Sequence, residues 1–227
     1  MQFIKFIVFA LIFVYTTMWT QINLLLGGLG QKNSPVTIVQ NDTLRKLIRD
    51  KTGIDIATIK ISESNRPFGM MIGIPSKPQL VLSRGLYDTF SPSEMEYVVL
   101  HEAGHYVLWH SIIELLVGNV LLITGVLILK RIPQLPVSLL CAVAFGIVFG
   151  VVMIRLGRIH EYQADRYSAQ HMTNPQEMID ATNKFRGFYG RSFTENKSKV
   201  IQAMFYRGNP YDNRIKMAQA EISARKN

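Results

Sequence analysis

The sequence predicts an α+β fold that is mostly helical, in which a domain with a small β-hairpin or sheet is anchored to a membrane by three transmembrane helices. Two observations predict it. Hydrophobic residues make up 48% of the 227 residues and charged residues only 18%, and the mean hydropathy is +0.14, which is more apolar than one soluble core requires. Three apolar runs, at 6–26, 112–129 and 135–154, each have about the length that crosses a ~30 Å hydrocarbon layer as a helix.

The first apolar run, residues 6–26, contains no charged residue. At a rise of about 1.5 Å per residue, roughly 20 residues suffice to span the hydrocarbon layer. A cleaved signal peptide is the alternative, but its apolar core is usually only about 7–15 residues long, and no small-x-small cleavage site follows here. We therefore expect residues 1–26 to form a retained membrane anchor.

The next segment, residues 27–111, is predicted to lie outside the membrane. It contains the amphipathic pattern 44–49, which predicts a short surface helix. Residues 67–73 and 79–83 predict two short strands, and the prolines of the intervening segment 74–78 predict a turn between them. The expected result is a small hairpin or an edge strand.

A helix start follows at Ser91. This hydroxyl residue precedes Pro92 at the first helical position, and Glu94 lies three residues beyond the cap. The combination is the pattern of a capping box with proline at the first turn. The helix that begins here is expected to continue through His101 and His105.

The second and third apolar runs are joined by residues 130–134, a connection so short that it allows only a tight turn. Residues 112–156 are therefore predicted to form a transmembrane hairpin, and residues 157–227 to return to the side of 27–111. Glu114 and Asn119 interrupt the apolar pattern. We expect them to face the interface or the helix bundle, with a functional role as the alternative.

The formal net charge is +9 and the pI is near 9.7, values that are also common among nucleic-acid-binding proteins. The basic residues are scattered and are not interleaved with aromatic residues in a nucleic-acid motif, so anionic lipid headgroups are the expected counter-charge and nucleic acid is not an expected partner. Cys141 is the single cysteine. The sequence therefore lacks the residues for a disulfide framework or a thiolate metal site.

The segment His101-Glu102-Ala103-Gly104-His105 contains the candidate metal ligands and the candidate general base. Residues four apart lie on one face of a helix, so both imidazoles can bind a single ion. Glu102 is placed to act as general base for a water molecule that zinc activates. A pair of structural histidines is the alternative interpretation of so short a motif.

A catalytic zinc needs three protein ligands and one open position. The best candidate for the third ligand is Glu161, with Asp165 four residues later on a predicted helix. One carboxylate can bind the metal while the other accepts the free ring N–H of a ligand histidine. A solvated acidic face that pairs with Arg158 and Arg166 is the alternative.

The chain has three further histidines. His110 lies five residues beyond His105, about 140° around a helix, so we expect it at the membrane interface. His160 is expected at the surface, with a hydrogen bond into the cleft as the alternative. His171 is expected in a loop.

The motifs resemble those of the HtpX and type-1 CAAX prenyl endopeptidase family of integral-membrane zinc metallopeptidases, a gluzincin family, over residues 65–218. The order of the two metal motifs around a membrane hairpin is the same. The resemblance implies a zincin-like catalytic domain formed by 27–111 and 157–227, one Zn²⁺ per chain, and His101, His105 and Glu161 as its ligands.

The same resemblance extends to substrate contacts. Asn65 and Phe68 lie in a segment similar to the substrate-binding edge strand of the family. The segment 208–215 is similar to a later family signature, although Asn209 stands where the family has histidine. Arg214 in that segment is expected either to pair with Asp165 or to stabilise the oxyanion, with a surface ion pair as the alternative. Glu102, Asp165 and Arg214 are thus the predicted catalytic residues.

The resemblance implies an endopeptidase that cleaves extended segments of membrane or membrane-proximal proteins, with protein quality control as a possible setting. A signal-responsive antirepressor-type metallopeptidase and a non-catalytic membrane scaffold are the alternatives. The expected location is the cell membrane, in multi-pass form. The distribution of lysine and arginine favours a cytoplasmic catalytic face, and the sequence leaves the oligomeric state open.

Overall fold

A computed structural model describes residues 35–73, 77–190 and 208–226. Within these residues it contains four strands and seven helices, so the fold is mostly helical with one small sheet, as predicted. The predicted membrane anchor at residues 1–26 lies outside the described residues and stays a prediction.

The four strands form one mixed sheet in the order β1-β2-β4-β3. Its strands are β1 (Val36–Val39), β2 (Thr58–Ser62), β3 (Gly69–Ile72) and β4 (Gln79–Ser83). β4 pairs antiparallel with β3 and parallel with β2, while β2 pairs antiparallel with β1. The predicted hairpin of β3 and β4 is therefore confirmed, and β3 lies at the edge of the sheet.

Helix α1 (Asp42–Thr52) confirms the predicted surface helix and extends it at both ends. The Asn41 side chain accepts a hydrogen bond from the Leu44 N–H at the start. Gly53 ends the helix in the left-handed conformation, with φ of 74°, which glycine adopts at little cost. Leu44 and Ile48 form its buried face.

The central helix α3 (Pro92–Val107) follows the short helix α2 (Arg84–Thr89). The predicted capping box is present: Ser91 Oγ accepts from the Glu94 N–H, and Glu94 Oε2 accepts from the Ser91 N–H at 2.6 Å. The hydrophobic core lies between α3 and the sheet. Its fully buried side chains include Ile59, Ile61, Leu80, Leu82, Val99 and Leu100.

Helices α4 (His110–Lys130) and α5 (Leu135–His171) form the predicted hairpin. Among the described residues these are the two helices long and apolar enough to cross a membrane. Many of their apolar side chains point away from the protein, with Leu140 71% and Val143 64% exposed. Such continuous apolar exposure fits lipid contact.

Helix α5 is a single element of 37 residues. Its length is about 55 Å at 1.5 Å per residue, whereas the hydrocarbon layer is ~30 Å thick. The helix therefore continues beyond the apolar run 135–154 and carries Glu161 and Asp165 on the same axis. His171 lies in its last turn, which corrects the prediction that His171 belongs to a loop. Helices α6 (Gln176–Tyr189) and α7 (Tyr211–Lys226) complete the described chain.

A break separates α3 from α4. Trp109 adopts a left-handed conformation, with φ of 58°, and is the one non-glycine residue with positive φ in the described part of the chain. The conformation costs a non-glycine residue about 1–2 kcal/mol. The axis of the chain therefore changes between the central helix and the hairpin of α4 and α5, and His110 does not continue the helical spacing of α3.

Gly104 allows α3 and α5 to pack closely. A Cβ atom at this position would lie 3.2 Å from Tyr167 Cβ and 3.3 Å from the Ala164 Cα. A larger side chain therefore requires the facing part of α5 to shift by about a few tenths of an ångström or more. The two helices concerned carry His101, His105 and Glu161.

We expect Gly104→Val to lower the free energy of unfolding by about 1–3 kcal/mol, the usual cost of overpacking. Thermal unfolding of the purified protein in detergent measures it. Gly187→Val is the matched control, because a Cβ at Gly187 meets no atom within 4 Å. Equal midpoints for the two variants would contradict the close helix contact.

Candidate metal centre

Three potential metal ligands converge between α3 and α5. His101 Nε2 lies 3.1 Å from His105 Nε2. The Glu161 carboxylate lies 3.6 Å from His101 Nε2 through Oε2 and 3.5 Å from His105 Nε2 through Oε1. His101, His105 and Glu161 are the one group of at least three such side chains that could hold an ion among the residues described.

The geometry of this group fits zinc. A tetrahedral zinc with bonds of about 2.0–2.1 Å places its ligand atoms roughly 3.3 Å apart, which is close to the three separations between the histidine nitrogens and Glu161. Two imidazoles and one carboxylate form the donor set of many catalytic zinc sites, in which the fourth position stays open. His101, His105 and Glu161 therefore form a metal-binding group suited to zinc.

Asp165 supports His101 from the side opposite the metal. Its Oδ1 accepts from His101 Nδ1 and from the Tyr97 hydroxyl, each at 2.8 Å. Its Oδ2 accepts from Asn209 Nδ2 at 2.8 Å and lies 3.1 Å from Arg214 Nε. Asp165 is fully buried, and these four donors compensate the cost of a buried charge. The His101 ring is thereby oriented with Nε2 toward the metal position.

Arg214 lies between the metal ligand Glu161 and Asp165, the residue that supports His101. Its Nη2 is 3.4 Å from Glu161 Oε2, and its Nη1 donates to the Tyr97 hydroxyl at 3.2 Å. Together with Asp165, these contacts place its guanidinium in the site. The alternative of a solvated surface ion pair does not apply, because the Arg214 side chain is only 15% exposed.

Glu102 lies on the face of α3 that borders the edge strand β3. Burial is the main reason that its pKa is raised, although the two ligand histidines and a hydrogen bond from the Met71 backbone oppose the increase. A raised pKa brings a carboxylate closer to the range in which it can both accept and return a proton at neutral pH. The side chain is therefore suited to proton transfer.

The pKa of His101 reflects two opposing influences. Burial is the largest single influence and lowers the pKa, but the carboxylates of Asp165 and Glu161 together outweigh it and raise the pKa of His101 to about 10. A metal that binds His101 at Nε2 must displace a proton from this ring.

A cleft of about 270 Å³ opens over the metal ligands. Its walls come from β3, α3, α5, α6 and the start of α7. The lining residues include Pro67, Phe68, Gly69, Glu102, Phe185 and Arg214. Phe68, for which the resemblance implies a contact with substrate, lines the cleft. Asn65 does not line it, because this exposed residue lies before the strand, with its carbonyl against Gly85.

Four residues at or near the site were not assigned to it from the sequence. Tyr97 is one helical turn before His101, a spacing that could have indicated it. Asn209 is buried and bonded to Asp165, so it does not point at the substrate position. His110 and His160, predicted at the membrane interface and the surface, are 2% and 3% exposed and stack on each other beside His105.

The chain was compared with known proteins. Residues 39–222 match the model of the family described as Peptidase family M48. A protein named Protease HtpX homolog from Aeropyrum pernix is 27% identical over 176 residues, which cover 69% of this chain and 55% of the relative. A protein of the same name from Herminiimonas arsenicoxydans is 25% identical over 204 residues, covering 77% of this chain and 69% of the relative.

A solved structure has a similar fold. The crystal structure of S. mikatae Ste24p superposes with a TM-score of 0.73 at 15% identity, over 92% of this chain and 58% of that chain. The chain described here therefore spans little more than half the length of Ste24p and of the Aeropyrum relative.

Proposed function

This chain belongs to peptidase family M48, and we propose that it is a membrane-embedded zinc endopeptidase that cleaves extended segments of membrane or membrane-proximal proteins. The observation that carries the proposal is the convergence of His101, His105 and Glu161 at 3.1–3.6 Å, with Glu102 beside them in the same cleft. A protein that only bound zinc for stability would have no need of a carboxylate that lines the cleft without being one of the three ligands.

Each residue of the site has a distinct part in the proposed reaction. Zinc, when bound, supplies a Lewis acid that activates water and polarises a carbonyl. Glu102 takes a proton from the attacking water and returns it to the amine that leaves. Arg214 lies beside Glu161 and faces the cleft, where its positive charge stabilises the oxygen on which negative charge develops. Asp165 keeps His101 in the ligating tautomer.

The proposed substrate lies along the free edge of β3. The Phe68 carbonyl accepts from the Ser83 backbone N–H of β4, and the Phe68 N–H donates to the Ser83 hydroxyl. In an antiparallel ladder the alternate residues, Gly69 and Met71, then turn their backbone groups away from β4. One of these groups, from Met71, bonds Glu102, so this edge lies directly beside the proposed general base. An extended peptide can add there as a further strand, next to Glu102. The Phe68 side chain contacts it from the cleft wall, and Asn65 lies at the end of this track.

The proposed location is the cell membrane. The exposed apolar faces of α4 and α5 support insertion as a hairpin, which places α3 and the end of α5 on the same side. The excess of lysine and arginine near the ends of the spans on that side favours the cytoplasm. The proposed substrates are therefore proteins that emerge from the bilayer on the cytoplasmic side.

Metal removal tests the proposal. Treatment of the purified protein with 1,10-phenanthroline is expected to stop the cleavage of a casein-type substrate, because proton transfer by Glu102 needs water held at the metal position. Addition of zinc is expected to restore cleavage. Cleavage that survives complete loss of zinc would contradict the mechanism, and stoichiometric zinc without any cleavage would favour a non-catalytic scaffold.

A further inference from the structure

The second ligand histidine is supported by another histidine. His110 Nδ1 lies 2.9 Å from His105 Nδ1, whereas His101 is supported by the carboxylate of Asp165. The contact depends on the left-handed conformation of Trp109. On an uninterrupted helix, residues five apart would point about 140° apart. The break before α4 instead turns His110 back toward the site.

Gln163 determines the direction of these hydrogen bonds. Its carbonyl oxygen Oε1 lies 3.0 Å from His110 Nε2, and since a carbonyl only accepts, His110 donates from Nε2. His110 is 2% exposed, which favours a neutral ring with Nδ1 as acceptor. His105 therefore donates its Nδ1–H to His110. The Nε2 lone pair of His105 stays free and faces the position between the three ligands.

The plane of the His110 ring is fixed by the membrane hairpin. His160 of α5 stacks on it, with ring centroids 4.1 Å apart and planes within 7°. His160 Nδ1 is in turn 3.1 Å from Oε1 of Glu114 on α4. The Glu114 side chain therefore faces the helix pair, as the sequence predicted. Both helices of the hairpin contribute to the orientation of His110.

We propose that His110 is a positioning residue for the metal ligand His105. It selects the tautomer that leaves Nε2 free and fixes the direction of the ring, as Asp165 does for His101. The inference rests on the proposed zinc site, but it concerns the affinity of that site for metal and not the cleavage step. The affinity for zinc therefore depends on residues of the membrane hairpin that do not touch the metal.

Zinc affinity of the full-length protein in detergent tests the inference. Loss of such a supporting residue usually weakens metal binding about 10–100-fold, and we expect a rise of this size in the Kd of His110→Leu, measured by competition with a chromophoric chelator. His110→Asn places an amide oxygen near the former Nδ1 and is expected to restore most of the affinity. The visible spectrum of the Co²⁺-loaded protein should change in His110→Leu and return in His110→Asn.

His171→Leu is the matched control. This histidine lies on α5 and bonds the Tyr167 carbonyl, outside the contacts of His105, so the Kd is expected to stay at the wild-type value. Gln163→Leu provides a second variant at an exposed position, in case His110→Leu does not fold. It removes the acceptor at His110 Nε2 and should also raise the Kd, whereas Gln163→Glu keeps an acceptor and should not.

The outcomes separate the two proposals. Wild-type protein that binds zinc, together with an unchanged Kd in folded His110→Leu or in Gln163→Leu, would overturn the role of His110 and leave the zinc site intact. Wild-type protein that binds no zinc would overturn the proposed function, and the role of His110 with it.

Discussion

Replacement of Glu102 by glutamine is expected to abolish peptide cleavage and to leave zinc bound. Glutamine has nearly the shape of glutamate but cannot accept a proton, and general acid–base catalysis usually contributes about 10²–10⁴ to the rate. The ligands His101, His105 and Glu161 are unchanged in this variant, so the metal should remain. The measurements are kcat/KM on a casein-type substrate and the zinc content by mass spectrometry.

Glu177→Gln is a suitable control for the loss of one carboxylate. Glu177 lies on α6, near Asn174, and does not line the cleft over the metal ligands. Its cleavage rate should match that of the wild type. If Glu102→Gln cleaved at the wild-type rate, the role of general base would belong to another group, and the mechanism proposed for the cleft would be wrong.

Replacement of Glu161 by alanine is expected to remove stoichiometric zinc and, with it, all cleavage. The site loses its one anionic ligand, so only His101 and His105 would remain to hold the ion. The protein is expected to fold, because Arg214 keeps its contacts with Asp165 and Tyr97. Zinc content after dialysis against metal-free buffer gives a direct result.

Thermal unfolding gives a second and independent measurement. A ligand that binds only the folded state raises the unfolding midpoint as its concentration increases. The wild type should show this increase on addition of zinc, and Glu161→Ala should show none. Glu221→Ala, at an ion pair of α7 with Arg225, should behave as the wild type does. If Glu161→Ala kept the zinc content of the wild type, Glu161 would not be a metal ligand.

The predictions that succeeded depended on local patterns. The capping box at Ser91 fixed the start of α3, and the spacing of four residues between His101 and His105 then placed both rings on one face. Helical periodicity also placed Glu161 and Asp165 together, even though they follow a long apolar run. Such features are encoded within one or two helical turns, where propensity and spacing act directly.

His110 shows where a local pattern fails. The argument from helical spacing placed it away from His105, and the 2.9 Å contact shows that this was wrong. The spacing rule assumes one continuous helix, whereas α3 ends at Val107 and the chain turns at Trp109. Tryptophan has no preference for a left-handed conformation, so the sequence gives no sign of the turn.

The hydrogen bonds that Asp165 receives were only partly predictable from the sequence. Its partners Tyr97 and Asn209 lie 68 and 44 residues away in the sequence. The family resemblance raised the question of what an asparagine does in place of histidine. The burial of Asn209 and its bond to Asp165 depend on how α7 packs against α5, and no local pattern determines such packing.

The sequence predicted two strands, whereas the sheet has four, and the reason is similar. The strands β1 and β2 are only four and five residues long. In β2, Ile59 and Ile61 alternate with a lysine, a period that is typical of a strand but is short enough to be overlooked. Its parallel pairing with β4 joins segments about 20 residues apart, and pairing partners are not visible in either segment alone.

In the proposed membrane-embedded peptidase, the continuity of α5 sets the height above the bilayer at which a substrate can be cut. Glu161 lies seven residues beyond the end of the apolar run at 154, which corresponds to about 10 Å along one straight helix. No flexible joint between these positions can change that distance, because α5 is helical throughout. Peptide bonds within about this distance of the lipid boundary can reach the cleft directly. Bonds in more distant loops must first be brought down to the membrane surface.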